Sequence, residues 1–562
     1  MPEPPLWTAH YGAGVPPRIA APDESLDMLA ERAAREAPRC AATTFFGRTR
    51  TYGRLGDQIA RAAQGLHALG VRPGDRVAIL LPNCPQHLVA FYAVLRLGAV
   101  VVEHNPLYTP RELRHMFEDH TARIAICWDV AVPKLREQPS DIAPEHIVAV
   151  NLTSELPLAM RAALHLPFLR RRRAAITAKA PDTIGWKKLL RHRPLPASHP
   201  HPSPSSLALI QYTSGTTSLP KGAMLTHANL YANTLQAFAW LPGLKPREEV
   251  FYSVLPMFHA FGLTLVLTLG VMLQGRLVLF PTPDAREVLS AAKHFPPTVF
   301  GGVPPIFYTV AAMAKRKRVS LASARMCFCG GMALPEQTAQ LWDEVAGTPL
   351  IEGYGMTEAS PVICGNPVGD NRRPGTVGVP FPSTDVRVVA IDDPTTEVGT
   401  GERGELLVRG PQIFGGYWNN PDETGRALLP GGWLRTGDVV TQDADGFVTI
   451  VDRTKELIIT GGFNVSPSEV EAVLHGHPDI AEAAVIGVPR PAGGERVCAA
   501  VVLREGCALH EDDVRAYCKQ RLAAYKVPRI ILPVDELPHS LLGKVLRAQV
   551  RDLVAPDVTD HR

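Results

Sequence analysis

Paired cysteines are missing from this 562-residue chain. Its nine cysteines (Cys40, Cys84, Cys127, Cys327, Cys329, Cys364, Cys498, Cys507 and Cys518) form an odd set with no Cys-x-x-Cys spacing. That disfavours both a disulfide framework and a zinc site, and it points to the reducing cytoplasm. Net charge is also scarce: 58 Lys and Arg against 55 Asp and Glu leave +3, too mild an excess to argue for a nucleic-acid partner. The longest apolar run, Phe261 to Leu273, contains Thr264, Thr268 and Gly270 and is stopped by Gln274 and Arg276. It is shorter than the roughly 20 residues of a membrane-spanning helix and reads as a buried core segment. Met1 to Ile19 lacks a basic stretch followed by an apolar core, so no secretory signal is expected. No internal repeat is visible.

What is present is an ordinary globular composition, 46% hydrophobic and 20% charged, in a chain too long for one core. From Ser25 to Asp119 helices (about 57–69 and 86–97) alternate with the strands RVAILL and AVVVEHNP, the pattern of a parallel α/β sheet. The same texture resumes from Leu207 to about Val362, with strands expected at VLPMF, RLVLF and PTVFGGV. After Gly375 short alternating strands follow (TDVRVVAI, GELLVRG, FVTIVD), with a hairpin turn at Asp445-Gly446; after Ser466 a compact α+β segment begins. The expected fold class is therefore α/β. A large N-terminal domain, 1–454, holds two α/β subdomains and a β-barrel-like subdomain, and a small α+β domain occupies 455–562. Between Leu156 and Pro204 the texture changes: Arg170 to Arg173 stand in a row, and Lys179, Lys187, Lys188, Arg191 and Arg193 follow. This segment reads as an insertion whose basic residues form either a solvated face or, with Leu164, Leu166, Phe168, Leu169 and Ile176 interleaved, a membrane-surface contact.

The stretch Tyr212 to Gly222, YTSGTTSLPKG, combines hydroxyls, a glycine and one fixed cation after the apolar run LALIQY. These groups can hold a polyphosphate at a strand end. A Walker loop requires Gly-Lys-Ser/Thr, and Pro220 and Gly222 break that pattern. On composition alone the stretch reads equally as a phosphate cradle or as a solvated turn. Further along, EGYGMTE (Glu352 to Glu358) places a carboxylate suited to a hard cation beside two glycines. Arg435-Thr436-Gly437-Asp438 offers a carboxylate suited to two ribose hydroxyls. DRTKELIITGGFNV begins at Asp452, and Gly543-Lys544 closes the series.

These motifs, in this order and spacing, closely resemble the adenylate-forming superfamily of acyl-CoA synthetases, adenylation domains and luciferases. The resemblance runs from about Leu26 to Arg547. NPLYTPREL (Asn105 to Leu113), LPMFHAFGL (Leu255 to Leu263) and EGYGMTE most resemble the long-chain fatty-acid CoA ligases. It implies ATP and CoA as co-substrates with Mg²⁺. Thr213, Ser214, Gly215, Thr216, Thr217 and Lys221 would enfold the ATP phosphates, and Thr213 with Glu358 would hold the metal. Gly330, Gly331, Glu352, Gly353, Tyr354 and Thr357 would line the nucleotide. Asp438 would accept the ribose hydroxyls, assisted by Arg453, and Lys544 would stabilise the reacting phosphorus. Lys455 would be the hinge of a mobile C-terminal lid, and Gly461 and Gly462 would face the thiol. Ser218 stands where the family loop usually has glycine.

The same resemblance places a carboxylate after the Phe of LPMFHAFGL in amino-acid-activating relatives. Here His259 follows Phe258, which disfavours an α-amino acid, whose buried ammonium would go unpaired. On chemistry alone His259 reads equally as a core histidine or a substrate gate; the resemblance favours the gate. The acyl pocket is expected to use His259, Phe300, Gly301, Gly302, Val303 and Pro304. The implied activity is ligation of a medium- or long-chain fatty acid to CoA. Loading of a carrier protein, or ligation of an aryl or dicarboxylic acid, is the alternative. The expected partners are these small molecules, with peripheral contact at the inner membrane face through residues 161–193, and a homodimer is compatible with the resemblance.

Overall fold

The computed structural model describes residues 5–213, 220–453, 456–460, 463–489, 495–522, 524–540 and 543–560. The chain divides into two compact units. The first is Met1–Ser214, Leu219–Asp385 and Arg409–Leu434, and the second is Gly215–Ser218, Val386–Val408 and Arg435–Arg562.

Two sheets organise the first unit. In the seven-stranded sheet the strands lie in the order Ile184–Gly185, His146–Val150, Ile124–Trp128, Arg76–Leu80, Val100–Glu103, Leu207–Thr213 and Lys221–Thr226. All neighbours are parallel except the last pair. The expected helices are Tyr52–Ala68 and Pro85–Arg96. Residues such as Val77, Ile79, Val101 and Ile126 are fully buried, as parallel strands covered on both faces must be. NPLYTPREL owes its form to a capping box. Thr109 Oγ1 accepts from Glu112 N–H at 3.3 Å and Glu112 Oε2 accepts from Thr109 N–H at 2.7 Å, which starts the Pro110–His120 helix.

The nine-stranded sheet has a parallel centre, with Ile351–Gly355, Met326–Cys329, Val299–Gly302, Val250–Ser253, Arg276–Leu279 and Ala41–Phe45 side by side. Its core packs Phe300 against Tyr252, Phe307 and Trp342, with ring centroids 5.2–5.7 Å apart. The strand expected at VLPMF lies earlier, at Val250–Ser253, and residues 254–258 leave the sheet. Pro256 has no N–H for a ladder, and side chains serve the loop's backbone instead. Asn83 Nδ2 donates to the carbonyls of Ser253 and Leu255 at 2.9 and 2.8 Å, and its Oδ1 accepts from Met257 N–H at 2.8 Å. Gln211 Nε2 donates to the Phe258 carbonyl at 2.7 Å. The apolar run Phe261–Leu273 is a buried core element, a π-helix over Leu263–Gly270. Among the described residues no helix is long and apolar enough to cross a membrane.

In the second unit the strands Ile480–Pro489, Glu495–Leu503 and Ile530–Pro533 form a sheet, accompanied by the helices Pro467–His475, Glu511–Lys519 and Arg547–Asp560. The β-rich stretch forms a five-stranded sheet in which Trp433–Gln442 and Val448–Arg453 pair antiparallel about the expected Asp445-Gly446 turn. No cysteine is bonded; seven are buried, Cys40 is half-buried, and Cys507 is exposed.

Candidate active site

The polyphosphate-type stretch sits between two strands of one hairpin. Leu207–Thr213 and Lys221–Thr226 pair antiparallel with Thr213 opposite Lys221, and Thr213 Oγ1 lies 3.5 Å from the Lys221 carbonyl. Ser214, Gly215, Thr216, Thr217 and Ser218 lie outside the described residues. At the base of the hairpin the Tyr212 hydroxyl donates to Asp119 Oδ2 at 2.7 Å.

A third segment lies along the outer edge of this hairpin. Met224 N–H donates to the Gly416 carbonyl at 2.9 Å and Trp418 N–H to the Gly222 carbonyl at 2.7 Å, with Ala223 bridged to Tyr417 between them. Asp119 fastens the segment through Trp418 Nε1 (3.2 Å) and Asn419 Nδ2 (3.0 Å), both of which donate to its carbonyl. Asn420 then caps the Pro421–Ala427 helix by accepting from Glu423 N–H at 3.1 Å.

These contacts gather a polar cluster. Tyr417 donates its hydroxyl to Glu358 Oε1 at 2.7 Å. Its ring centroid lies 5.0 Å from Lys221 Nζ, a cation–π distance. Lys221 Nζ is ion-paired with Glu423, whose carboxyl is held below its ordinary pKa by Lys221 and then by Arg426. Glu358 is buried at 6% exposure on a short turn, Thr357–Ala359, where its carbonyl accepts from Phe414 N–H at 2.9 Å. Burial and the charge of Glu358 push the Tyr417 phenol above its ordinary range, so it remains a donor at working pH.

Nothing in its sequence context singles out Tyr417. It is 59 residues from Glu358, and the only local signal is the Asn-Pro-Asp-Glu helix start after it. Tyr417→Phe keeps the ring over Lys221 and removes the donor to Glu358. A hydrogen bond to a buried carboxylate is worth about 1.5–3 kcal/mol, so kcat/KM for ATP is expected to fall about 10-fold or more in a pyrophosphate-exchange assay. An unchanged value would deny Tyr417 a positioning role.

The expected nucleotide and acyl residues meet at the carboxyl ends of neighbouring parallel strands. Gly302 pairs with Cys329, and Cys329 with Glu352. A side chain at Gly330 would meet the Gly353 carbonyl at 3.0 Å and Phe261 at 3.5 Å, so glycine gives the two strands room that a larger residue would have to take from the Gly353 carbonyl. Gly331 and Val303 are neighbours, and Pro304 opens the Pro304–Lys317 helix. Glu352 accepts from Gly375 N–H at 3.3 Å, and burial raises its carboxyl pKa. Tyr354 follows in the same strand, Ile351–Gly355. Phe300 turns its ring into the core, and a side chain at Gly301 would collide with Leu265. His259 caps the next short helix by accepting from Phe261 N–H at 3.4 Å. Burial pushes its imidazole down to about 4, so the ring is neutral at pH 7.

In the second unit, Asp438 is buried at 4% exposure and faces Arg453 in the ladder. The Asp438 N–H donates to Thr436 Oγ1 at 3.1 Å, and Thr436 donates to the Leu406 carbonyl at 2.8 Å. Asp452 Oδ2 accepts from Ser466 Oγ at 2.6 Å, fixing the start of the Pro467–His475 helix. Lys544 lies on a tight turn: Ser540 N–H donates to the Lys544 carbonyl at 2.7 Å, Lys544 N–H to Ser540 Oγ at 3.1 Å, and Gly543 supplies φ +76°. Lys455, Gly461 and Gly462 lie outside the described residues. Among the described residues no group of three or more His, Cys, Asp or Glu side chains is placed to hold a metal ion.

Open α/β sheets bind their ligands in the crevice outside the carboxyl ends of the strands; Gly302 and Gly330 stand at such ends, and Glu352 pairs with Cys329 beside them. The class so defined is an α/β enzyme acting on small molecules. More narrowly, the chain belongs to the AMP-binding enzyme family, which matches residues 30–418, and the AMP-binding enzyme C-terminal domain matches residues 469–544. It is 35% identical over 564 residues to a long-chain-fatty-acid–CoA ligase of Bacillus subtilis (strain 168), covering 99% of this chain and 98% of that protein. It is 36% identical over 555 residues to a long-chain-fatty-acid–CoA ligase of Escherichia coli O157:H7, covering 97% and 98%. Among solved structures, the anthranilate CoA ligase AuaEII in complex with anthranoyl-AMP superposes with a TM-score of 0.81 at 27% identity, covering 96% of this chain and 98% of that one.

Proposed function

We propose that this chain ligates a medium- or long-chain fatty acid to coenzyme A at the expense of ATP, through an acyl-adenylate. In the first half-reaction a carboxylate oxygen attacks the α-phosphorus, and the bond from that phosphorus to the bridging oxygen breaks, releasing pyrophosphate. In the second, the CoA sulfur attacks the acyl carbon, AMP leaves, and the thiol proton passes to solvent. The observation that carries the reading is the cluster of Lys221, Tyr417 and Glu358 where Thr213 pairs with Lys221, because it sets a cation and an oriented carboxylate at the strand ends that flank, in sequence, a hydroxyl-rich stretch.

Thr213 and Glu358 would hold Mg²⁺. One hydroxyl and one carboxylate suit a cation that keeps waters and takes phosphate oxygens as its other ligands. Bound there, the metal would neutralise charge on the phosphates. Lys221 would bind phosphate oxygens, and Asp438 would accept the ribose hydroxyls with help from Arg453. Gly330, Gly331 and Glu352–Tyr354 would line the adenine. The neutral His259 would border an acyl pocket with Gly301, Gly302, Val303 and Pro304. Residues 455–562 would turn about Lys455 to bring first Lys544, then Gly461 and Gly462, to the reacting atoms. The names of the Bacillus subtilis and Escherichia coli relatives support a long acyl chain, whereas the anthranilate ligase fits an aryl acid.

Pyrophosphate exchange against acids of graded length, followed by addition of CoA, tests the reading. The expected result is exchange that peaks with medium or long chains, and a CoA thioester. Exchange with an aryl acid alone, or acyl-adenylate with no thioester until a carrier protein is supplied, would replace it.

A further inference from the structure

Ten large apolar side chains are strongly exposed among the described residues, and four of them fall within residues 158–168: Leu158 at 80%, Met160 at 43%, Leu166 at 44% and Phe168 at 78%. Single exposed apolar residues need no explanation, but a concentrated patch does. The patch lies in the crossover from His146–Val150 to its parallel neighbour at the sheet edge, Ile184–Gly185. No residue from Leu158 to Ala175 is buried. Both ends of the excursion are pinned. Asn151 Nδ2 donates to Thr177 Oγ1 at 2.6 Å, Thr177 Oγ1 donates to Asp129 Oδ2 at 2.6 Å, and Trp128 Nε1 donates to the Ile176 carbonyl at 3.0 Å. Short helical pieces, Leu158–Ala163, Pro167–Leu169 and Arg170–Ile176, thus stand out from a fixed base.

The charge is as uneven as the exposure. Residues 161–193 carry Arg161, Arg170–Arg173, Lys179, Lys187, Lys188, Arg191 and Arg193 against one acid, Asp182. All ten basic side chains are exposed. Arg173 faces His165, Nη1 to Nδ1 at 3.2 Å, and among the described residues no carboxylate pairs with any of the four consecutive arginines. Exposed apolar side chains beside unpaired arginines match one kind of surface, with phosphates at the rim and acyl chains beneath. A polynucleotide would satisfy the arginines and leave Leu158 and Phe168 in water.

We propose that residues 158–193 form a docking surface for an anionic phospholipid bilayer. Leu158, Met160, Leu166 and Phe168 enter the boundary between headgroups and acyl chains, and Arg170–Arg173 lie against the phosphates. Two weak signals, neither sufficient alone, combine into reversible attachment. The proposal does not depend on which acid the enzyme activates.

Co-sedimentation of the full chain with phosphatidylglycerol/phosphatidylethanolamine vesicles, with phosphatidylcholine vesicles as reference, tests it. Wild type is expected to bind the anionic vesicles and to lose affinity as salt rises. Replacing Arg170–Arg173 together by Gln is expected to lower binding by up to about 1,000-fold at low salt, at roughly 1 kcal/mol per arginine. The pair Leu158→Ser and Phe168→Ser is expected to lower it about 10-fold, including at high salt, where only the apolar contribution remains. Activity on a water-soluble short acid in free solution is expected to be unchanged in both variants. Should the arginine variant fail to fold, the wild-type salt titration and the serine pair decide. Equal binding to both vesicle types, no effect of either variant, or tighter binding to an RNA oligonucleotide than to vesicles with no effect of the serine pair would each overturn the proposal.

Discussion

Replacing Lys544 by alanine is expected to slow adenylate formation by about 10²–10³-fold, the range for removing one fixed electrostatic donor from a reacting centre. Thioester formation from synthetic acyl-AMP should stay within about twofold of wild type, because the proposed second half-reaction leaves Lys544 away from the phosphorus. The geometry suits a positioned cation. Lys544 sits on a turn closed by its own backbone to Ser540, and Gly543 adopts a left-handed conformation that a side chain would resist. Alanine keeps that backbone intact. Single-turnover measurements of each half-reaction decide the matter, and equal loss in both would remove the assignment.

The second large effect is expected at Glu358. Glu358→Gln retains an oxygen that can accept from the Tyr417 hydroxyl, so the turn should hold while the negative charge disappears. If Glu358 helps hold Mg²⁺, kcat/KM for ATP should fall about 10²-fold or more, and the Mg²⁺ concentration giving half-maximal exchange should rise. A lowered rate with an unchanged Mg²⁺ requirement would make Glu358 a structural carboxylate instead. Tyr417→Phe gives the complementary readout, since it leaves the charge and removes only what orients it.

Much of the architecture is legible in the chain because helices and parallel strands announce themselves locally. RVAILL, the helix after Pro85 and SPSEVEAVLHGH lie close to where their apolar patterns and caps place them. VLPMF shows the limit: an apolar run of five does not by itself distinguish strand from buried loop, and Pro256 decides for the loop. The hairpin partner KGAMLT is harder to see, because a long hydroxyl-rich connection carries none of the two-residue turn chemistry that marks hairpins. The Ser/Thr/Gly loop and Glu358 are visible as types of residue in an order. Tyr417 and Asn83 are not, since their roles come from contacts across 59 and 174 residues.

The distribution of thiols has a practical consequence. Cys507 is the one exposed cysteine and belongs to the second unit, so a maleimide dye added to the native chain should attach there without any cysteine being removed. Local desolvation and the neighbouring Asp479 raise the Cys507 pKa, so the thiol reacts slowly at neutral pH and needs a longer reaction rather than an alkaline buffer, in which maleimides also attack amines. The anisotropy of that single dye, followed as ATP, acid and CoA are added in turn, would test the proposed rotation of residues 455–562 in real time. The chain carries its own attachment point for watching its catalytic cycle.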